Sequence, residues 1–389
     1  MKFLKRTVLL IACFALIVCA GCKSNETYYF YTNIPQGSFE IGNDDFQLGG
    51  IIAGYTPSSP DYEEEDVSNY TALGYRITVM LTDVNFVVSS DFESEENKQK
   101  YKEFCQEVVA ELRSLDSAIS TAVTYSDINN FNNAAAGEEI EILQITYEIL
   151  NIAKAMYEKT NHYYNPALYY NIHAYGFGAA QVYPSKASEL PTDEEISKYT
   201  ELASRFGEVE TREESGKYYV TKPDFTVEVG GETLSLKLDL GGIGKGYAVD
   251  KVDKLFDKYG YKYGYLNFGS SSMLFKSNVE EGNYTLAFKN PRTLNPMDYY
   301  FSTPVRNEKI STSGDNNQFY VIDGTRYCHI IDPTTGKPVQ TGIMSVSIIG
   351  GSAAEDDALT TAIMAMGKEQ AISFIEEHLT DRKVVFTCG

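Results

Sequence analysis

Three short stretches of the 389-residue chain combine residue types that phosphate and metal chemistry requires. The first, Asp239 to Asp250, reads DLGGIGKGYAVD. A strand here runs into a glycine-rich turn, and a helix is predicted to begin near Gly246. Four glycines let the backbone approach a ligand and turn its N–H groups toward it, while a helix N-terminus favours an anion. Lys245 adds a point charge suited to phosphate. The standard phosphate motifs do not fit. A Walker loop needs Gly where Asp239 stands and Ser or Thr where Gly246 stands, and a dinucleotide fingerprint starting at Gly242 needs Gly in place of Tyr247. The same residues would also serve as a plain turn between strand and helix.

The second stretch, Ala354 to Gly367, reads AEDDALTTAIMAMG. Asp357 and Thr361 are four apart and share one helix face. A carboxylate with a hydroxyl is hard-oxygen ligation, suited to Mg²⁺ that also holds substrate phosphates. The plainer alternative is that Asp356 and Asp357 complement the helix dipole and Thr361 packs. The third stretch, Tyr327 to Pro338, reads YCHIIDPTTGKP. Asp332-Pro333 with Gly336 makes a turn after a strand, and His329 just before it is a candidate general base. A lone histidine can equally be structural. The chain has only four.

These stretches need a scaffold, and the hydrophobic period supplies one. Leu73 to Leu81 reads as a strand. Tyr101, Phe104, Val108, Leu112 and Leu115 step by three and four, as do Ile145, Ile149, Ile152 and Met156, giving two amphipathic helices, the second stopping at Asn161. Leu234, Leu236, Leu238 and Leu240 alternate strictly, the pattern of a strand with one buried face. Further strands are predicted at Tyr263–Phe268, Tyr284–Phe288, Phe319–Ile322 and Met344–Ile349. A last helix runs from about Ala354 to Met366, with Gly367 as its stop. Strands and helices interleave without a strict βαβ repeat, so the expectation is one α+β domain.

Ahead of that domain the chain carries an address. Lys2, Lys5 and Arg6 precede the apolar run Thr7 to Ala20, which is short for a membrane span and reads as an export signal over residues 1–21. Cys19-Ala20-Gly21-Cys22 resembles the bacterial lipobox, in which the cysteine is acylated, although Cys19 stands where Leu is usual. Cys22 is thus the expected lipidation site, and the protein is expected on the outer face of the cell membrane; plain secretion is the alternative. Residues 22–70 read as an acidic, Tyr-rich tether without sustained period, with a short hairpin conceivable at Gly37 to Ile52, and residues 71–389 as the domain. Cys105, Cys328 and Cys388 remain, too few and too scattered for a zinc site or disulfide framework, with at most one disulfide. With 33 Lys+Arg against 54 Asp+Glu, the net charge of −21 argues against nucleic acid as partner.

In this order along the chain, the three stretches resemble the bacterial ApbE family, the FAD:protein FMN transferases. The family's DLGGIAKGYAVD differs here only by Gly244 for Ala. Its HIIDPxTGxP is intact from His329 to Pro338, and ADALATAL is matched by Asp356 to Ile363. Further matches are Ser311 to Asp315, Ser120-Thr121 through Ser126-Asp127-Ile128 to Asn132, and Tyr175 to Gly178, where the family has WGFG. There are departures. The family's STY is Ser120-Thr121-Ala122, leaving Tyr125 as a candidate replacement aromatic. Its TNGxFDPT is Thr160 to Ala167, TNHYYNPA, with Asn165 for the acid. The glycine pair of its NxGG turn is Gly269-Ser270.

The resemblance implies an ApbE-like, T-fold-related domain that uses Mg²⁺ to cleave FAD and pass FMN to a Thr or Ser hydroxyl of an acceptor protein, releasing AMP. It implies Mg²⁺ held by Asp357, Thr361 and the carbonyl of Gly242, phosphate bound by Lys245, and His329 as general base and FAD contact. Leu73, Tyr175, Gly176, Phe177, Asp239, Ser313, Gly314, Asp315 and Ile331 are the remaining implied FAD contacts. An FAD pyrophosphatase using water as acceptor, or a non-catalytic flavin-binding lipoprotein, would fit the same motifs.

Overall fold

The computed structural model describes residues 27–31, 71–80, 82–178, 181–277, 284–293, 295 and 298–388. The export signal, Cys22 and the Gly37–Ile52 hairpin lie outside the described residues. The main sheet has eight strands: β1 (Thr27–Tyr31), β2 (Thr71–Val79), β3 (Thr82–Ser90), β4 (Tyr263–Phe268), β5 (Ser272–Lys276), β6 (Glu308–Gly314), β7 (Ile343–Ile349) and β8 (Lys383–Cys388). Their order is β1-β8-β7-β6-β5-β4-β3-β2, and every pair is antiparallel. Strands β2 to β8 therefore follow chain order across the sheet, and β1 pairs on the outer side of β8. The Thr-Tyr-Tyr-Phe-Tyr run of β1, from within residues 22–70, consists of residues that favour extended, sheet-paired backbone.

Among the described residues eight α-helices accompany the sheet: α1 (Glu95–Ile119), α2 (Asp127–Asn133), α3 (Gln144–Lys159), α4 (Tyr169–Ala174), α5 (Asp193–Ala203), α6 (Gly241–Lys258), α7 (Ala353–Met366) and α8 (Lys368–His378). The two sheet faces are divided by strand alternation. Val84, Phe86, Leu266, Val346 and Ile348 join Phe104, Leu112, Phe256 and Leu359 of the helices in the principal core. On the opposite face Tyr265, Met273, Ile310 and Ile349 pack under a hairpin of Tyr284–Lys289 and Tyr299–Val305. The architecture is α+β, as the pattern predicted.

Three expectations are corrected. The helix predicted from near Gly246 begins at Gly241. Of the glycines at 241, 242, 244 and 246, none adopts positive φ; they lie on the helix itself and thin its surface. A β-carbon on Gly246 would stand 1.9 Å from the Ala353 carbonyl oxygen, so α6 and α7 meet backbone to backbone. The alternating leucines form a strand only over Glu232–Ser235. Leu236, Leu238 and Leu240 are buried, but the backbone at Leu238 pairs with a side chain: Asn132 Nδ2 donates to Leu238 O at 2.9 Å and accepts the Leu238 N–H through Oδ1 at 2.7 Å. Finally, Ala353–Met366 is followed by α8 and β8, with Gly367 at φ 77° between the two helices.

Candidate active site

A cavity of about 420 Å³ opens where α6, α7 and the ends of β6 converge. Asp239 starts this wall. Its N–H donates to Pro166 O at 2.8 Å, and its Oδ1 accepts the Gly241 N–H at 2.8 Å, fixing the first turn of α6. One turn on, Lys245 folds back so that Nζ donates to Gly241 O at 2.9 Å.

The facing wall is α7, buried nearly all round. Its N-terminus is held from α6 by one side chain. Asp250 Oδ1 accepts from Ala353 N–H at 3.1 Å and Lys309 Nζ at 2.6 Å, and its Oδ2 from Ser352 Oγ at 2.7 Å and Ala354 N–H at 3.0 Å. One turn further in, Asp357 Oδ2 accepts the Gly246 N–H at 3.0 Å. Burial raises the Asp357 pKa, opposed by the Lys245 ammonium and that N–H. Thr361 Oγ1 lies 3.3 Å from Asp357 O and 3.2 Å from Ser313 Oγ, which also meets Thr360 Oγ1 at 2.9 Å. A β-carbon on Gly242 would sit 3.5 Å from Thr361 Oγ1.

The hydroxyls of Thr361 and Ser313 and the buried carboxylate of Asp357 thus line one stretch of the cavity, beside Gly242. Among the described residues no group of three His, Cys, Asp or Glu could hold a metal ion. That donor set fits Mg²⁺, which takes one or two carboxylates and fills its shell with water and substrate phosphates. A cation would also relieve the buried charge of Asp357.

His329 closes the third side. Its backbone N–H donates to Gln318 O at 3.2 Å, while Nδ1 is buried and has no hydrogen-bond partner among the described residues. Burial, with the Lys245 ammonium adding to it, lowers the imidazole pKa to about 4. The ring is therefore neutral near pH 7, the form that accepts a proton.

Of the residues singled out in the sequence, Asp239, Gly242, Lys245, Ser313, Gly314, His329, Ile331, Asp357 and Thr361 line this one cavity. Five do not. Phe177 is buried and stacks on Tyr320 at 5.5 Å, with its edge toward His329 at 6.4 Å. Tyr175 stacks on Tyr327 at 6.1 Å, and Gly176, at φ 80° between them in sequence, abuts Val182 O. This aromatic stack lies behind the histidine instead of facing the cavity. Asp315 is held by Arg292 through two contacts of 2.6 Å, and Leu73 packs against the core.

Ala122 does line the cavity, whereas Tyr125 is 72% exposed and does not replace the missing aromatic. Cys105, Cys328 and Cys388 are all free and buried. Sequence reasoning missed Tyr164, Thr312, Asn317 and Gln318, which also line the cavity. Tyr164 carried a signal, a hydroxyl where the family pattern has Phe.

The sheet, its helix layer and the cavity between them define a fold already known among flavin transferases. The structure is similar to the flavin transferase ApbE from Vibrio cholerae, with TM-score 0.65 and 22% identity over 82% of this chain and 93% of that one. It is likewise similar to the Pseudomonas stutzeri flavinyl transferase ApbE in its apo form, with TM-score 0.64 and 20% identity over 84% and 93%. In sequence the chain is 24% identical to the FAD:protein FMN transferase of Klebsiella pneumoniae, covering 85% of this chain and 86% of that protein. It is 26% identical to the Vibrio cholerae enzyme of the same name over 68% and 74%. Residues 74–386 match the ApbE family model, and the chain belongs to the ApbE family.

Proposed function

We propose that the protein transfers FMN from FAD to a Thr or Ser hydroxyl of an acceptor protein, releasing AMP, with Mg²⁺ bound by Asp357, Thr361 and the Gly242 carbonyl. The observation that carries this reading is the convergence of Asp357, Thr361, Lys245 and neutral His329 on one cavity. Relatives named FAD:protein FMN transferase support it. The metal would polarise the pyrophosphate and offset charge on the departing AMP. Lys245, which lines the cavity, binds phosphate oxygens. His329 takes the hydroxyl proton as the acceptor oxygen bonds to the FMN phosphorus and the anhydride P–O bond to AMP breaks. Such a transfer asks the protein for positioning and charge, with no covalent nucleophile of its own.

The export signal and Cys22 would set this reaction on the outer face of the cell membrane, with the protein lipid-anchored. The hydrolytic reading draws support from Ala122, which leaves the cavity wall without the aromatic expected there. One experiment separates them. The protein is incubated with FAD, Mg²⁺ and a surface protein carrying a flavinylation-type Thr, following AMP release and flavin fluorescence in denaturing gels. A fluorescent acceptor with matching AMP is the expected result. AMP without a fluorescent acceptor would establish the pyrophosphatase, and neither product would leave a flavin-binding protein.

A further inference from the structure

Tyr164 is 3% exposed, and its hydroxyl is buried and has no hydrogen-bond partner among the described residues. The residue is not loosely placed. Its N–H donates to Thr160 Oγ1 at 2.9 Å, and Thr160 Oγ1 donates in turn to Met156 O at 2.7 Å at the end of α3. The ring lines the cavity, with Cε2 3.6 Å from where a β-carbon on Gly242 would be.

An unpaired buried hydroxyl costs about 1–3 kcal/mol, and phenylalanine would fill the same volume without that cost. A phenol is protonated near pH 7, so what the hydroxyl lacks is an oxygen acceptor. Lys245, Asp357 and Thr361, the groups read above as holding phosphate and metal, line the same cavity as Tyr164. We infer that the Tyr164 hydroxyl donates a hydrogen bond to a nonbridging oxygen of the bound dinucleotide's pyrophosphate, making Tyr164 a substrate-binding residue. The inference rests on the reading of the cavity as an FAD site.

The test is Tyr164→Phe, read by binding as well as by turnover. FAD and riboflavin are titrated with EDTA present, following flavin emission, and ADP is titrated by calorimetry. Loss of one hydrogen bond to an anion is expected to weaken FAD and ADP about tenfold. Riboflavin, which has no phosphate, should bind equally to both proteins, and the Tm of the free variant should be unchanged or higher. Unchanged FAD and ADP affinity in the variant would overturn the inference while leaving the transferase reading intact. An equal loss for riboflavin would overturn it too, by showing a packing defect. A wild-type protein that binds neither FAD nor ADP would remove the underlying reading and this inference with it.

Discussion

The N–H of Gly246 donates to Asp357 Oδ2 at 3.0 Å, joining α6 to α7 where the two backbones come closest. The bond is possible because residue 246 has no β-carbon: one placed there would lie 1.9 Å from Ala353 O and 2.9 Å from Ala354 Cα. The glycine stretch and the acidic helix are therefore two halves of one construction. The first brings Gly242 and Lys245 to the cavity and the second brings Asp357 and Thr361. Asp250, eight residues beyond Gly242, holds the second helix by its first turn.

Gly246→Ala should accordingly be among the most damaging single-methyl changes in the chain. The obstacle is backbone, which cannot rotate away, so the helices must separate. Overpacking of this kind costs about 1–3 kcal/mol or more. Thermal unfolding should show a clear fall in Tm, and Mg²⁺-dependent AMP release should be lost even where the variant remains folded. Wild-type Tm and turnover in Gly246→Ala would mean that the helices do not cross this closely.

Asp357→Asn should lose turnover and yet gain stability. The carboxylate has its pKa raised by burial, so the folded state binds its proton more tightly than the unfolded chain. Its contribution to stability is fully present below the ordinary carboxylate pKa and is lost as pH rises through the folded value. At pH 7 the neutral asparagine avoids that penalty, while its Oδ1 can still accept from Gly246. The metal-free variant should be more stable than metal-free wild type at pH 7, with the gap narrowing at acid pH. Adding Mg²⁺ and ADP should raise the Tm of wild type only. A variant less stable than wild type at pH 7 and equally so at pH 4 would contradict this account.

His329 makes a prediction about the acid limb of the reaction. Burial, with Lys245 beside it, lowers the imidazole pKa from 6.5 to about 4. The base form therefore persists as pH falls below the value at which a free histidine would be protonated. The limb of kcat/KM, which reports the free enzyme, should lie between 6.5 and 4, nearer the lower figure. His329→Ala should retain FAD binding, slow transfer by about 10²–10⁴-fold and abolish that limb. Full transfer rate in His329→Ala would remove the general-base role.

What the sequence made legible was local, and what it hid was relational. The helices over Tyr101–Leu115 and Ile145–Met156 and the strand at Tyr263–Phe268 follow from period alone, because each buries one face against the core. The leucines at 234–240 misled because alternation reports an extended backbone with a buried side, not its hydrogen-bond partner. Asn132, more than a hundred residues away in sequence, supplies that partner. The glycines at 241–246 read as a turn because glycine is permissive there, but their use is close approach between helices, which only Ala353 reveals. Lys245, His329, Asp357 and Thr361, which line the cavity, were found for their chemical types. Asp315 was implied by the family resemblance alone, and Arg292 engages both its oxygens.

The glycine at 244, where the family pattern has alanine, has a physical account that can be tested by restoring the alanine. A β-carbon there would lie 2.4 Å from Ile119 Cδ1 and 3.2 Å from Met80 Cε, so the space of the missing methyl is filled from α1 and from the β2–β3 turn. Ala is favoured over Gly inside a helix by about 1 kcal/mol, but Ile119 is 1% exposed and has little room to yield. Gly244→Ala alone should lower stability, the clash outweighing propensity. Ile119→Val alone should lower it by about 0.5–1.5 kcal/mol, by removing the buried Cδ1. Combined, each change repairs the other: the methyl introduced by Gly244→Ala enters the volume that Cδ1 leaves. The double variant should equal or exceed wild type in urea denaturation, with a coupling of about 1–3 kcal/mol in the double-mutant cycle. Additive losses would show that the two groups do not compete for one space, and that the glycine at 244 answers to something other than Ile119.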